Sequence, residues 1–569
     1  MRWIFLRRKV QMIGAAFALL VVMAGVSDYA YINSGEIITF SKESGFYEDS
    51  FYLEIKEKEG IVFYYTMDGS RPNQMSRQYT GPILVEDASS RDNIYSARKD
   101  VCLELLDKEE SQKEEPGEIS HKNPDFPVDK CNIIRVAAYE AENFGGGVKA
   151  EATAVYFVGF QEKRGYTGIM KVSLVTEPDH LFDYESGIYV MGKRWDEYTP
   201  EEEEAVWAWD ANYQGRGIEW ERPAQIDVFG QNGEKIFSSN CGIRIHGGAT
   251  RSNPQKSFSV FAREEYGGDR RFAYDLFGNR IGPHKFILSS GGNDDIVKIR
   301  DCFVQEMTAA AGLCVATMKM FPCMLFLNGE YWGTYYITES YDSTYIQDYY
   351  DVAEDNVVII KEKGETKEIE EGNSEDLALY YEMQDYITGH DMQDEDAYQR
   401  ACEMVDIDSF VDFYALQIYI GNGDWPGTNV ALWRARDESG LNIWTDGRWR
   451  YMVFDTNHPS VLGDPEVNNL ERALEEDPMF ASLMQNDEVE KKFCERIRQL
   501  ENEVFKEENV EEAFEQWFDE MSESVRKSDE RYFDVENLET IPQYLSSMKW
   551  FLYERPEYME KHMLDCLGE

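Results

Sequence analysis

The sequence predicts an α+β protein in which a small all-β sandwich precedes a mixed region and a helical C-terminal part. Three patterns predict it. Short β-branched and aromatic runs with turn punctuation fill residues 40–160. Strand-like runs alternate with helical periods over residues 166–463. Beyond Val467, apolar residues recur every three to four positions against a charged background.

The first strands fall at residues 51–55 and 62–66, followed by the turn signal Met67-Asp68-Gly69-Ser70. Residues 133–139 and 152–157 add two more. Short strands separated by turns suit a sandwich, whose sheets bury alternate residues. Between Glu86 and Lys130 this pattern lapses. The run 107–116 is charged and has no apolar period, so it reads as an exposed, mobile insertion.

In the mixed region, residues 242–247 and 256–261 read as strands joined by a polar, glycine-containing turn, and 285–288 as another strand. Phe303, Val304, Met307, Ala311 and Cys314 fall near a helical period within 300–318. Residues 324–327, Asn328-Gly329 and 331–338 form a hairpin signature, because Asn-Gly accepts the left-handed backbone of a two-residue turn. Residues 376–387 and 408–420 read as helices, with Asp408 a natural N-cap. In the tail, Val510, Phe514, Trp517, Met521 and Val525 mark one helical face, and 538–567 continues in kind.

The chain has 569 residues, 43% of them apolar and 14% aromatic, ample for packed cores. It carries 108 acidic and 57 basic residues, a formal net charge of −51. Such a chain repels nucleic acid and anionic lipid, whose binding relies on Lys and Arg neutralising phosphates. Cations, basic proteins and neutral glycans are better-matched partners. The nine cysteines contain no C-x-x-C pair, which argues against a zinc ribbon, and are too sparse for a disulfide scaffold. Their odd number leaves a thiol without an intramolecular partner. Cys302, Cys314 and Cys323 read as small core hydrophobes, and a Cys102–Cys131 bridge stays open.

Arg2, Arg7, Arg8 and Lys9 precede an apolar stretch over 12–26, the basic and hydrophobic parts of a secretory signal. The stretch is about fifteen residues, shorter than the roughly twenty of a membrane span. Neither a clean A-x-A site nor a lipobox cysteine follows. Residues 1–30 are therefore read as a signal anchor or a signal peptide. The rest is expected to be exported, to the cell surface, membrane-anchored or secreted.

Residues 420–429 carry the densest chemistry. A helix ends, a loop rich in Gly, Asn and Pro follows, and a strand begins at Val430. A hairpin over Asp446-Gly447 returns as 449–454 and ends at Asp455. Asp424, Asn429 and Asp455 thus lie at the ends of adjacent elements, where they can converge. Asp424 and Asn429 have the D-x-x-x-x-N spacing of a protein-kinase catalytic loop, in which the Asp takes the substrate proton and the Asn holds magnesium. A later strand-end Asp supplies a second magnesium ligand. The spacing alone suits loop-capping residues as well. Phosphoryl transfer also needs a lysine on the phosphates. His246 and His458 have no partner at metal-ligand spacing, which disfavours a zinc hydrolase.

Longer motifs carry two resemblances. Residues 64–72 with Tyr79-Thr80-Gly81-Pro82-Ile83 resemble the C-terminal β-sandwich module of chitobiases and β-hexosaminidases. That resemblance implies a module over 36–160, interrupted by the acidic insertion at about 86–130, with a spacer or glycan-binding role. Residues 165–465, with the helical tail 466–569, resemble the CotH family of atypical protein kinases first associated with spore coats. The matching segments are Leu181-Phe182-Asp183 with 186–190, then 219–223, 242–248, Arg251 with 254–258, 327–335 with Glu339, 422–434, and Phe454-Asp455-Thr456-Asn457. They stand in the family's order and imply a bilobal, atypical protein-kinase-like domain.

The resemblance implies Lys256 on the phosphates of ATP. It implies Asp424 as the catalytic base or acceptor-orienting carboxylate, and Asn429 and Asp455 as ligands of Mg or Mn. Glu339 either leads into an adenine-contacting segment or holds a structural ion pair. Arg300 and Asp301 read as capping and ion-pairing residues. Where the family's strand end reads D-x-D, this chain has Asp455-Thr456-Asn457. The carboxamide of Asn457 can ligate a metal but adds no charge, so weaker metal affinity is expected and an inactive assembly module is an alternative. No G-x-G-x-x-G or Walker A motif precedes the lysine strand, and Gly247-Gly248 is the candidate phosphate-facing turn. The expected function is an exported Ser/Thr kinase acting on surface or coat proteins. Transfer of AMP to protein is a further alternative, and a glycosidase a minor one. The expected partners are a protein substrate, a glycan at the sandwich and a membrane through an uncleaved N-terminus, but no nucleic acid.

Overall fold

A computed structural model describes residues 37–106, 121–143, 145–201, 204–274, 276–278, 282–294, 296–363, 366–438, 440, 442–534 and 540–568. The N-terminal signal reading and the charged run 107–116 lie outside them. The chain divides into two compact units. Of the described residues, the smaller holds 37–44, 50–85 and 133–154; the larger holds 45–49, 86–132 and those from 155 onward.

The smaller unit is β. Ile61–Thr66 pairs antiparallel with Asn132–Glu140 on one side and Arg77–Gln78 on the other, and Phe51–Leu53 pairs with Ile83–Val85. Phe63 and Tyr65 point inward along the first of these strands. The predicted turn forms because Gly69 takes φ 85° and the Asp68 carboxylate accepts the Ser70 amide at 3.0 Å.

The larger unit starts with a closed seven-stranded barrel. Its strands follow one another around the wall as Lys235–His246, Ser257–Ala262, Lys285–Ser289, Glu330–Thr338, Met320–Leu327, Met170–Val175 and Arg222–Phe229. Val172, Ile226, Ile243, Phe258, Leu288, Leu325 and Ile337 belong to its core. The Asn328-Gly329 turn has φ 46° and 88°, as the sequence predicts for a two-residue hairpin. The helix Arg300–Ala311 is shorter than its apolar period suggested, because Gly312 stops it at φ 66°.

A second sheet runs Thr366–Glu371, Val357–Lys363, Thr428–Ala435, Arg450–Met452. Against it lies the helix Ile407–Tyr419, buried along almost its whole length. Its N-cap is Asp406 rather than Asp408: the Asp406 side chain accepts the Ser409 amide at 3.2 Å. Its other end is closed from the tail. Arg555, with no exposed surface, donates to the carbonyls of Ile418, Tyr419, Pro465 and Val467 at 2.6–3.0 Å.

The described parts of the expected insertion fall with the larger unit and are held there. The carboxylate of Glu330 accepts the amides of Ile94, Tyr95 and Ser96 at 2.6, 3.1 and 2.7 Å. Asp129 takes Lys163, Lys527 and the Tyr166 hydroxyl at 3.0, 2.7 and 3.0 Å. A charged composition reports solubility, and these contacts depend on which carboxylate meets which amide. All nine cysteines are free thiols, so Cys102 and Cys131 are not bridged, and Cys314 is exposed rather than in a core. Among the described residues no helix is long and apolar enough to cross a membrane.

Candidate functional site

The loop after the buried helix is pinned at each step. Gly421 turns the chain at φ 71°, with a would-be Cβ 3.2 Å from Phe551 and Val467. Asn422 is fully buried; its side chain accepts the Asp424 amide at 3.1 Å and donates to Gln417 at 2.9 Å. Its carbonyl accepts from Asn469 at 2.8 Å, and Arg472 donates to the Gly423 carbonyl at 3.1 Å. Trp425 is buried against Phe413 and Tyr414. The Thr428 hydroxyl closes the loop onto the Asp424 carbonyl at 2.9 Å. Asp424 is thus presented on a rigid bend, half-exposed.

Asn429 and Asp455 both take left-handed backbone, at φ 60° and 57°. Neither is glycine, so each position is strained, a cost of order 1–3 kcal/mol that functional sites often carry. Asn429 Nδ2 lies 3.4 Å from Asp424 Oδ2 and 3.5 Å from the Asp455 carbonyl. Asn457 Nδ2 donates to Asp455 Oδ1 at 3.2 Å. Beyond Asn457, His458 Nε2 is 3.4 Å from Asp424 Oδ1, and the Ser460 hydroxyl lies 2.8 Å from His458 Nδ1. The structure therefore brings Asp424, Asn429, Asp455 and Asn457 together.

Asp301 is a further carboxylate in this group. Its Oδ1 accepts the Thr456 hydroxyl at 2.8 Å, and burial pushes its carboxyl upward. Crowding by protein, then the charges of Asp301 and Asp424, push Asp455 up to about 6. The Asp455 surface is open to solvent, which softens the crowding effect and gives the two carboxylates more weight. Lys361 draws Asp455 the other way.

Two lysines lie in the same neighbourhood. Lys361 lies 5.6 Å over the Phe454 ring and 3.4 Å from Glu370, with Lys285 3.9 Å from the same carboxylate. Burial, with Lys285 and Lys361 behind it, holds His246 well below the usual histidine range. A glycine turn approaches from the barrel, but it is Gly291-Gly292 rather than Gly247-Gly248. Gly292 has φ 61°, and a Cβ there would lie 2.7 Å from Asn457 Nδ2. Gly247 instead belongs to a turn braced by Arg251, which donates to its carbonyl at 2.7 Å.

Lys256 is not among these residues. It is fully buried, and its ammonium donates to the carbonyls of Val101, Arg251 and Asn253 at 2.9, 2.6 and 2.7 Å. The Tyr213 ring lies 4.1 Å away. Burial pushes the ammonium down to about 7, while three acceptors favour its charged form. Those three bonds use all its hydrogens and leave none for a phosphate. Glu339 is also buried; it accepts the Lys319 amide at 2.7 Å and the Tyr349 hydroxyl at 2.8 Å. Arg300 pairs with Asp294, whose other oxygen accepts the amides of Ile299 and Arg300 at the helix start.

Lys361 escaped the sequence reading, and Asp301, read as a capping and ion-pairing residue, was not expected at the site. The trace of Lys361 is a lysine closing the buried apolar run Val357-Val358-Ile359-Ile360; the contact of Asp301 with Thr456 left none, since the two are distant in sequence.

The model of the family described as CotH kinase protein matches residues 243–559, more than half of the chain. The chain belongs to the CotH kinase family. The family's model ends short of the small unit, where the Chitobiase/beta-hexosaminidase C-terminal domain matches residues 42–91. No curated protein matches the chain. Among solved structures, the Helicobacter pylori proinflammatory kinase CtkA is similar at 10% identity over 54% of this chain and 95% of that one, with a TM-score of 0.21. At that score the likeness carries no argument.

A CotH kinase implies ATP and a divalent cation in general, and the donor set fits a hard cation. It is all oxygen, and its carboxylates repel one another until a positive charge arrives. Among the described residues no group of three or more His, Cys, Asp or Glu is arranged to hold a metal ion. Here two of the donors are carboxamides, from Asn429 and Asn457.

Proposed function

We propose that the larger unit transfers the γ-phosphoryl group of ATP to Ser or Thr hydroxyls of a cell-surface or coat protein. The observation that supports this most is the meeting of Asp424, Asn429 and Asp455, with Lys361 near enough for its charge to act on Asp455. In this reading Asp424 takes the hydroxyl proton as the acceptor oxygen bonds to the γ-phosphorus and the bond to the bridging oxygen of ADP breaks. Lys361 and Lys285 offer positive charge to the phosphates. Asp455, Asn429 and Asn457 are the residues that would hold Mg or Mn, which when bound neutralises phosphate charge. A net charge of −51 favours basic acceptor segments. Residues 1–30 direct export, and the small unit serves as spacer or glycan contact.

A second reading rests on Asn457. With a neutral carboxamide beside Asp455 the site holds one charge fewer, and the unit serves as an inactive assembly module that retains nucleotide.

The test incubates the full chain, in mild detergent, with γ-labelled ATP, Mn²⁺ or Mg²⁺ and a basic serine-containing acceptor peptide. Label on the acceptor, lost in Asp455→Ala and in Asp424→Asn, is the expected result. Full transfer by Asp424→Asn would sink the proposal. No label with metal-dependent ATP binding supports the second reading. The acceptor's mass separates an added phosphate from an added AMP.

A further inference from the structure

We infer that His458, fixed by Ser460, is the positioning residue of Asp424 and acts as a hydrogen-bond donor from Nε2. The inference rests on the phosphoryl-transfer reading for its consequence, but its geometry stands apart from it. The Ser460 hydroxyl oxygen accepts the Gly423 amide at 2.6 Å. That leaves its own hydrogen to donate, and His458 Nδ1 stands 2.8 Å away. The Ser460 main-chain N–H points at the same nitrogen, at 3.3 Å. Two donors converging on Nδ1 require its lone pair, so the neutral ring carries its proton on Nε2. Nε2 is the atom 3.4 Å from Asp424 Oδ1.

Asp424 is therefore approached on both oxygens, Oδ1 by His458 Nε2 and Oδ2 by Asn429 Nδ2, each at 3.4 Å. The carboxylate plane is set before a substrate arrives, and orientation of that kind is worth much in rate. Gly423 makes the arrangement possible. A Cβ there would sit 2.6 Å from the Ser460 hydroxyl and 3.8 Å from His458 Nδ1. The turn Asp455-Thr456-Asn457-His458 thus serves two groups at once. Its first and third residues sit at the proposed metal position, and its fourth orients the base.

Two readouts test the inference. The full chain labelled with ¹⁵N-histidine is examined by NMR at pH 8; it holds seven histidines, and the His458→Gln spectrum identifies the one concerned. The expected signal is the Nε2–H tautomer, shifting to a mixture in Ser460→Ala. An Nδ1–H tautomer in the unmodified chain overturns the inference whether or not any transfer is found. For transfer, His458→Ala is expected to lower kcat about 100-fold with KM for ATP unchanged. His458→Gln, whose side-chain amide can donate from nearly the same place, should recover most of it. Equal losses in the two variants, or a rise in KM alone, also overturn it. An unmodified chain that shows the Nε2–H tautomer but never labels an acceptor leaves the hydrogen-bond chain standing and removes the phosphoryl-transfer reading.

Discussion

Two charged centres of the larger unit are built in opposite ways. Around Lys256 every ammonium hydrogen meets a main-chain carbonyl, and a tyrosine ring closes over the charge. Around Asp455 the neighbours are two more carboxylates, and two residues sit in strained left-handed backbone. A charge absorbed by carbonyls stabilises the fold that supplies them. Charges that push one another apart destabilise it, and are kept where a ligand relieves the repulsion.

The largest expected effect falls on the open centre. Asp455→Ala should reduce phosphate transfer by at least about 1000-fold, read by label on the acceptor, with the unfolding midpoint unchanged or raised. Lys361→Met should act in the same direction on transfer. The closed centre should respond in stability instead. Lys256→Met leaves three buried carbonyls without a donor and should cost about 3 kcal/mol in urea unfolding. A Lys256→Met chain that keeps its midpoint yet loses transfer would break the contrast and return Lys256 to the site.

A second closed centre sharpens it. Glu330→Ala orphans the amides of residues 94–96 and should cost about 2 kcal/mol. Hydrogen exchange over 86–106 should rise as well, and unchanged exchange would show that the carboxylate does not hold that segment.

The smallest effect is a pH signature. Folding raises the Asp455 carboxyl from 3.8 to about 6, so the folded chain keeps a proton that the unfolded chain releases between those values. Ionisation therefore costs stability: the cost is absent below about pH 4 and complete above about pH 6. Because Asp455 is exposed, it should amount to about 1 kcal/mol or less. In metal-free buffer Asp455→Asn should melt above the unmodified chain at pH 7 and together with it at pH 4. A gap of the same size at both values would remove carboxylate repulsion as its cause.

Local and patterned features were legible in the sequence. Asn328-Gly329 could be read because two adjacent residues decide a turn. Asp424, Asn429 and Asp455 could be read as polar residues at element ends able to converge, and the family resemblance supplied their roles. Lys256 shows where such reading stops. Its strand position is visible in the motif, but its depth is set by Val101, in a segment whose composition gave no sign of packing there. The same holds for Asp301 with Thr456, and for Glu330 with 94–96. Each is one contact between residues far apart, with no period or spacing to announce it.

Arg555 gives the site a place in time. It stands near the end of the chain, yet its guanidinium closes the helix from which the Asp424 loop emerges. A nascent chain that has just passed Asp455 already contains Asp424, Asn429 and Asp455, but not yet the clamp that sets the bend between them. The bend that presents Asp424 is thus completed only when the helix bearing Arg555 has been made and has packed against it.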